Sequence, residues 1–220
     1  AGRTGATYSR LGGIRLDGES LYGALSTSHP LVRSNQASLW LKSELAMLKV
    51  EQSVFGLTFQ RDEIVTFGAS AHGDVRLAGG RLSGGLGITF GLPLGGTTRE
   101  GDVLASRSDG SARFTKGTAW ANWYGTVTGR VSLRLSAQAQ LASRALLAPQ
   151  EMGAGGAGYG RAYDFSERFG DEGVLGLAEV RYTFGKPTRW LDWAHIYAFA
   201  DGGYVHNLAG GPGDGTLIST

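Results

Sequence analysis

The sequence contains no cysteine, which excludes a disulfide scaffold and any thiolate metal site. Proline is scarce, at 5 residues, so the abundant glycine does not belong to a Pro/Gly linker. Charge is also thin. Charged residues make up 18%, below the roughly 25% of soluble domains. Lys+Arg (21) and Asp+Glu (19) nearly cancel at +2, so no basic surplus points to nucleic acid. No apolar run is long enough for a transmembrane helix. The longest uncharged stretch, Leu82 to Thr98, is broken by six glycines and Pro93. The chain opens without an initiator Met or a signal peptide, and the expectation is an internal portion of a longer protein. The four histidines, His29, His72, His195 and His206, lack metal-ligand spacing, and no Gly-x-Ser-x-Gly elbow occurs. The chain is read as a non-enzyme that needs no cofactor.

What is present is glycine, 37 of 220 residues, and an alternation of period two. From Arg130 to Leu141, Val131, Leu133, Leu135, Ala137, Ala139 and Leu141 alternate with Arg130, Ser132, Arg134, Ser136, Gln138 and Gln140. The same alternation runs over 65–77 and 82–92, and less cleanly over 5–16, 19–29, 37–50, 111–127, 172–184, 193–206 and 214–220. Turn signals separate these runs at Asp17-Gly18, Ser34-Asn35, Ala78-Gly79-Gly80, Ser108-Asp109-Gly110, Thr128-Gly129 and Gly210 to Gly215. About ten antiparallel strands follow, with no helix.

Length separates the two all-β classes. Strands of soluble domains run ~5–6 residues, whereas a membrane-spanning strand needs about 9–11. Connections alternate between tight turns and long segments (95–110 and 143–171), as in outer-membrane barrels. The polar face is Ser, Thr, Gly, Gln and scattered Arg, suited to a hydrated lumen. Trp40, Trp120, Trp123, Tyr124, Tyr182, Phe184, Trp190 and Trp193 are read as interfacial girdles. The fold class is therefore all-β, an antiparallel transmembrane β-barrel of the bacterial outer membrane, its outer face in contact with lipid and lipopolysaccharide.

Residues 143–171 form a connection of almost thirty residues without periodicity, a length that usually signals function or disorder. Tyr159, Tyr163, Phe165 and Phe169 among its glycines argue against disorder. The polar cavity nearest to it is the lumen.

The stretch Gly155-Gly156-Ala157-Gly158-Tyr159-Gly160-Arg161-Ala162-Tyr163-Asp164, followed by Gly170-Asp171-Glu172-Gly173 and a strand carrying Glu179 and Arg181, resembles the signature loop of two-partner secretion transporters. These are the haemolysin secretion/activation proteins of the BamA-like outer-membrane superfamily. Their Val-Arg-Gly-Tyr/Phe loop motif is matched by Gly160-Arg161-Ala162-Tyr163 at the arginine and the aromatic, with Ala162 in the place of glycine. Phe199-Ala200-Asp201-Gly202-Gly203 resembles the family's Phe-x-Asp-x-Gly strand, and Ser28-His29-Pro30-Leu31-Val32-Arg33 a strand-end segment. The resemblance implies that 1–220 is part of a sixteen-stranded barrel with 143–171 as a lumen loop, preceded by POTRA domains and followed by terminal strands. It also implies export of a large secreted partner of adhesin or haemolysin type.

The residues give a compatible site. In the strand 194–207, His195, Tyr197, Phe199, Asp201 and Gly203 share one face, opposite Ala194, Ile196, Ala198 and Ala200. A lipid-facing carboxylate is costly, so Asp201 is expected to point inward, as are Glu179 and Arg181. The expectation is that Arg161, at the loop tip, offers its planar fork to Asp201 with Glu179 as second acceptor, and that Tyr159 and Tyr163 pack alongside. A lumen arginine such as Arg130 or Arg134 is the alternative partner for Asp201. The rival functions are a passive porin or autotransporter-type translocator, an insertase of the same superfamily, and a barrel hydrolase using His195 or His206. The Gly153-x-Gly155-x-x-Gly158 pattern lacks the flanking strand and helix of a nucleotide fingerprint.

Overall fold

The computed structural model describes the backbone of residues 2–11 and 14–16 and both backbone and side chains of 17–211 and 213–220. Ten strands form one antiparallel sheet: β1 (Gly2–Leu11), β2 (Ile14–Arg33), β3 (Ala37–Val54), β4 (Leu57–Leu77), β5 (Gly80–Gly91), β6 (Thr115–Thr128), β7 (Val131–Ala142), β10 (Glu172–Thr188), β11 (Leu191–His206) and β12 (Gly215–Ser219). Two further short strands, β8 (Met152–Ala154) and β9 (Arg168–Gly170), pair as a separate hairpin inside the 143–171 segment. Sheet neighbours are chain neighbours except where β7 pairs with β10 across that segment.

The shortest long strands set the membrane thickness. β5 and β7 have 12 residues each. At ~3.3 Å per residue and a tilt near 45°, such a strand crosses roughly 28 Å, close to the hydrocarbon core. β2, β3 and β4 are longer, at 20, 18 and 21 residues, and project past the others on the long-loop side. Turns at one end are tight (34–36, 78–79, 129–130, 189–190), whereas the opposite end carries 92–114, 143–171 and 207–214.

Three boundaries differ from the sequence expectation. Asp17 and Gly18 lie inside β2 rather than at a turn. Residues 51–64, whose alternation is broken by Glu51, Gln52, Arg61, Asp62 and Glu63, continue β3 and β4 around Phe55-Gly56. Beyond the membrane the outer face of the hairpin meets water rather than lipid and the inner face meets the long loops, so the apolar alternation that marks a spanning strand is not required there. Phe114, expected in a strand, precedes β6 and is buried with Ile64, Ala112, Leu146 and Leu147, so the long loops cover the protruding end of β4.

Pairing register fixes the two faces. Arg134, Ser136, Gln138 and Gln140 of β7 lie beside Glu179, Leu177, Leu175 and Gly173 of β10, on the face that also carries Asp201. The opposite face exposes Leu25, Phe67, Leu86, Leu135, Val180 and Ile196. The apolar side chains thus point out, as a lipid-facing wall demands, and the buried residues lie beneath the loops. The girdle assignment holds in part. Trp123, Tyr182 and Phe184 fall on the outer face, but Trp40, Trp120, Tyr124 and Trp193 fall on the inner one. Trp120 is inside because Gly85 leaves it room: a Cβ at Gly85 would stand 2.8 Å from its Nε1.

Candidate functional site: the loop tip on the inner wall

The 143–171 segment is more ordered than an aperiodic loop. After a 3-10 turn at Ala148–Gln150, β8 and β9 pair and the chain between them closes on itself. Gly155 N donates to Tyr159 O (2.9 Å), Gly156 N to Gly160 O (3.1 Å) and Tyr163 N to Gly160 O (3.0 Å). These tight turns need left-handed backbone, supplied at Gly156 (φ 90°) and Gly160 (φ 86°). Ala162 has no such demand, so alanine fits where the family motif has glycine.

The tip rests on Asp201, whose side chain is fully buried. Asp201 Oδ1 accepts two backbone hydrogen bonds, from Gly160 N (2.7 Å) and Arg161 N (3.0 Å). Successive amides converging on one oxygen form an anion-binding nest. The Arg161 side chain does not place its fork on Asp201. Its Nε lies 2.9 Å from Asp201 Oδ2 as an ion pair without a hydrogen bond, while Nη1 donates to Glu179 Oε2 at 2.9 Å. Arg181 Nη2 donates to the other Glu179 oxygen at 2.9 Å. Two guanidiniums and two carboxylates therefore alternate in a chain of zero net charge. The Arg161 guanidinium also lies over the Phe199 ring, 4.2 Å from its centre.

Other contacts fix the tip laterally. Ala162 N donates to Ser219 Oγ (3.2 Å), and Tyr159 Oη lies 2.8 Å from Ser136 Oγ on β7. Tyr159 and Tyr163 pack on a buried cluster of Met152, Ala154, Leu175, Val205 and Leu217. Gly203 is dictated by strand proximity, because a Cβ there would stand 2.1 Å from Val174 O. Below Phe199 the same face carries Tyr197, His195 and Trp193, with ring centres 6.2, 6.4 and 5.4 Å apart in succession.

The structure thus brings Gly160, Arg161, Ala162 and Tyr163 to Asp201, Glu179 and Phe199, with Tyr159 and Gly203 in support. Arg130 instead donates to Tyr182 Oη at 3.4 Å. His195 stacks on Trp193 rather than on an acid. Sequence reasoning missed the two tip amides, the ring under Arg161, and the roles of Arg181, Ser136 and Ser219. Only Arg181, inward by alternation beside Glu179, left a signal.

A glycine-rich hairpin folded back onto the polar inner wall of a membrane-spanning antiparallel sheet defines an outer-membrane β-barrel protein with a lumen loop. Residues 6–219 match the family described as haemolysin secretion/activation protein ShlB/FhaC/HecB, and the chain belongs to that family. Its membership places it among the two-partner secretion proteins of the bacterial outer membrane. Two solved structures share its fold. CdiB from Escherichia coli superposes with a TM-score of 0.78 at 21% identity over 93% of this chain, and CdiB from Acinetobacter baumannii with 0.72 at 17% over 98%. The chain spans 38% of the length of each. No match is found among curated proteins.

Proposed function

We propose that the chain is part of the wall and the lumen loop of an outer-membrane transporter that passes a large secreted partner protein, of adhesin or haemolysin type, from periplasm to cell surface. Family membership supports the reading. The observation that carries it is the seating of Gly160 and Arg161 on Asp201, which lays the loop against the inner wall that a transiting chain would follow. The outer apolar band meets lipid. The outward pairs Lys49–Glu63 (3.3 Å) and Arg61–Glu51 (3.1 Å) on the projecting hairpin stand at lipopolysaccharide level.

The chemistry is non-covalent. Each charge-assisted contact at the tip can be exchanged for water in a hydrated lumen, so its net worth is ~1.5–3 kcal/mol rather than the gas-phase value. Shifting a seated loop from 99:1 to 1:99 takes about 5.5 kcal/mol of differential binding. An extended chain engaging the open state can supply that without nucleotide hydrolysis. Opening withdraws Arg161 and leaves Asp201, Glu179 and Arg181 on the wall at net −1, a charge the hydrated lumen must solvate.

The test is secretion of the cognate partner by cells carrying Asp201→Ala or Arg161→Ala, with barrel level checked by heat-modifiable migration. Secretion falling at least about tenfold at unchanged barrel level is expected; secretion at wild-type level from both variants would refute the reading.

A further inference from the structure

The strongest unassigned feature is a buried arginine bonded to Asn207, six residues beyond Asp201 just past the end of β11 and so about 20 Å from the tip contact at ~3.3 Å each. Arg107 comes from the other long loop, 92–114, and its side chain is 7% exposed. Nε and Nη2 grip Asp109 at 3.1 and 2.7 Å. Nη1, with two hydrogens, faces three acceptors: Glu151, Asp171 (3.0 Å) and Asn207 (2.9 Å). Glu151 lies just before β8 and Asp171 just after β9, so one guanidinium holds both feet of the lumen hairpin. Asp171 extends the joint, its Oδ1 accepting Leu146 N (2.7 Å) and its Oδ2 Leu208 N (2.9 Å). Gly211 lies so close that a Cβ there would stand 2.8 Å from Arg107 Nη2.

We propose that Arg107 is a positioning residue for the tip contact. By pinning both feet it fixes the pivot about which the 152–170 hairpin swings when Arg161 leaves Asp201 and Glu179. The inference rests on the transport reading for its purpose, but its geometry does not. Three carboxylates face this single cation, so without it the feet repel each other and the tip loses its alignment with the wall. The tip contacts then form only in the minority of hairpin orientations that reach Asp201.

Ala162→Cys with Ser219→Cys provides the readout. The 3.2 Å contact from Ala162 N to Ser219 Oγ brings these positions within disulfide reach, and this chain has no native cysteine. Disulfide formation is followed in outer-membrane preparations of the full-length protein with no partner present. Arg107→Ala is expected to slow it about three- to tenfold. Arg107→Lys, which keeps the charge but not the fork, is expected to slow it by less and serves if the alanine variant does not accumulate. Arg161→Ala should add less than about twofold in the Arg107→Ala background, because the two act through one placement. A wild-type rate in both Arg107 variants, or a full independent Arg161 effect, would overturn the inference and leave the transport reading standing. Slowed cross-linking in the Arg107 variants would support it even if the wild-type protein secretes no partner, the result that refutes only the transport reading.

Discussion

Asp201→Ala is expected to unseat the loop more than Arg161→Ala does. Arg161→Ala removes the Nη1 bond to Glu179, the ion pair with Asp201 and the Phe199 ring contact. It leaves Glu179 with Arg181 and Asp201 with two amides. At ~1.5–3 kcal/mol for a charge-assisted bond, the cost is about 2–3 kcal/mol, or roughly 30- to 150-fold in loop opening. Asp201→Ala removes both amide bonds and the ion pair and leaves two N–H groups facing a methyl. Breaking a buried pair from one side costs ~3–5 kcal/mol, roughly 10²- to 10³-fold or more. Asp201→Asn keeps an oxygen for the amides and loses only the charge, so it should cost about 1–2 kcal/mol. Amide exchange over 155–165, followed by mass spectrometry of the membrane-embedded protein, reads these openings directly. The predicted order is Asp201→Ala, then Arg161→Ala, then Asp201→Asn. If Asp201→Asn opens the loop as much as Asp201→Ala, the backbone seat is not what holds the tip.

Further consequences concern the wall and the loop feet. Gly203→Ala drives a Cβ to 2.1 Å from Val174 O and 2.7 Å from Leu175 Cα; β10 and β11 would have to part, and the heat-modifiable folded band should be lost. A normal band would contradict that. Leu135→Arg, on the outer face at mid-strand, should cost ~2–4 kcal/mol of folding into lipid vesicles while Gln138→Arg, on the inner face, costs little; equal costs would reverse the assignment of faces. Burial holds the Glu151 carboxyl above its ordinary value, outweighing the nearby Arg107. The folded state therefore binds that proton more tightly than the unfolded chain. Stability drawn from it is present at low pH and lost as pH rises through the raised value. The unfolding temperature of the wild type should fall relative to Glu151→Gln as pH rises from the ordinary carboxylate range upward, and a constant difference would refute the burial argument.

The spanning strands were legible because a membrane wall between lipid and water imposes period two on each of them, as in Arg130 to Leu141. Where that constraint ends, the signal ends: residues 51–64 continue a hairpin between water and the long loops, and Asp17-Gly18 is turn chemistry inside β2. Trp120 and Trp193 could not be sided from composition, because a ring on a glycine-lined inner wall and a ring at the lipid interface look alike in sequence. At the site, alternation predicted that Asp201, Glu179 and Arg181 share the inner face, and the family resemblance singled out Arg161. The division of Arg161 between two carboxylates was not legible, nor was the amide seat on Asp201. Both depend on where the glycines turn the backbone, and no side chain announces a backbone donor. The Arg107 joint was invisible for another reason: apart from Asp109 in its own loop, its partners at 151, 171 and 207 lie in segments that only the sheet order brings to it.

On the proposed function, a secreted chain travels along the face bearing Asp201, with the seated hairpin as its gate. Photo-crosslinking groups placed one at a time along β11, at inward Tyr197 and His195 and at outward Ile196 and Ala198, and exposed to a partner stalled in transit, test it most directly. Adducts are expected from the inward positions alone, with a period of two along the strand. Adducts from Ile196 and Ala198, or none from any position while the partner is held in the barrel, would contradict it.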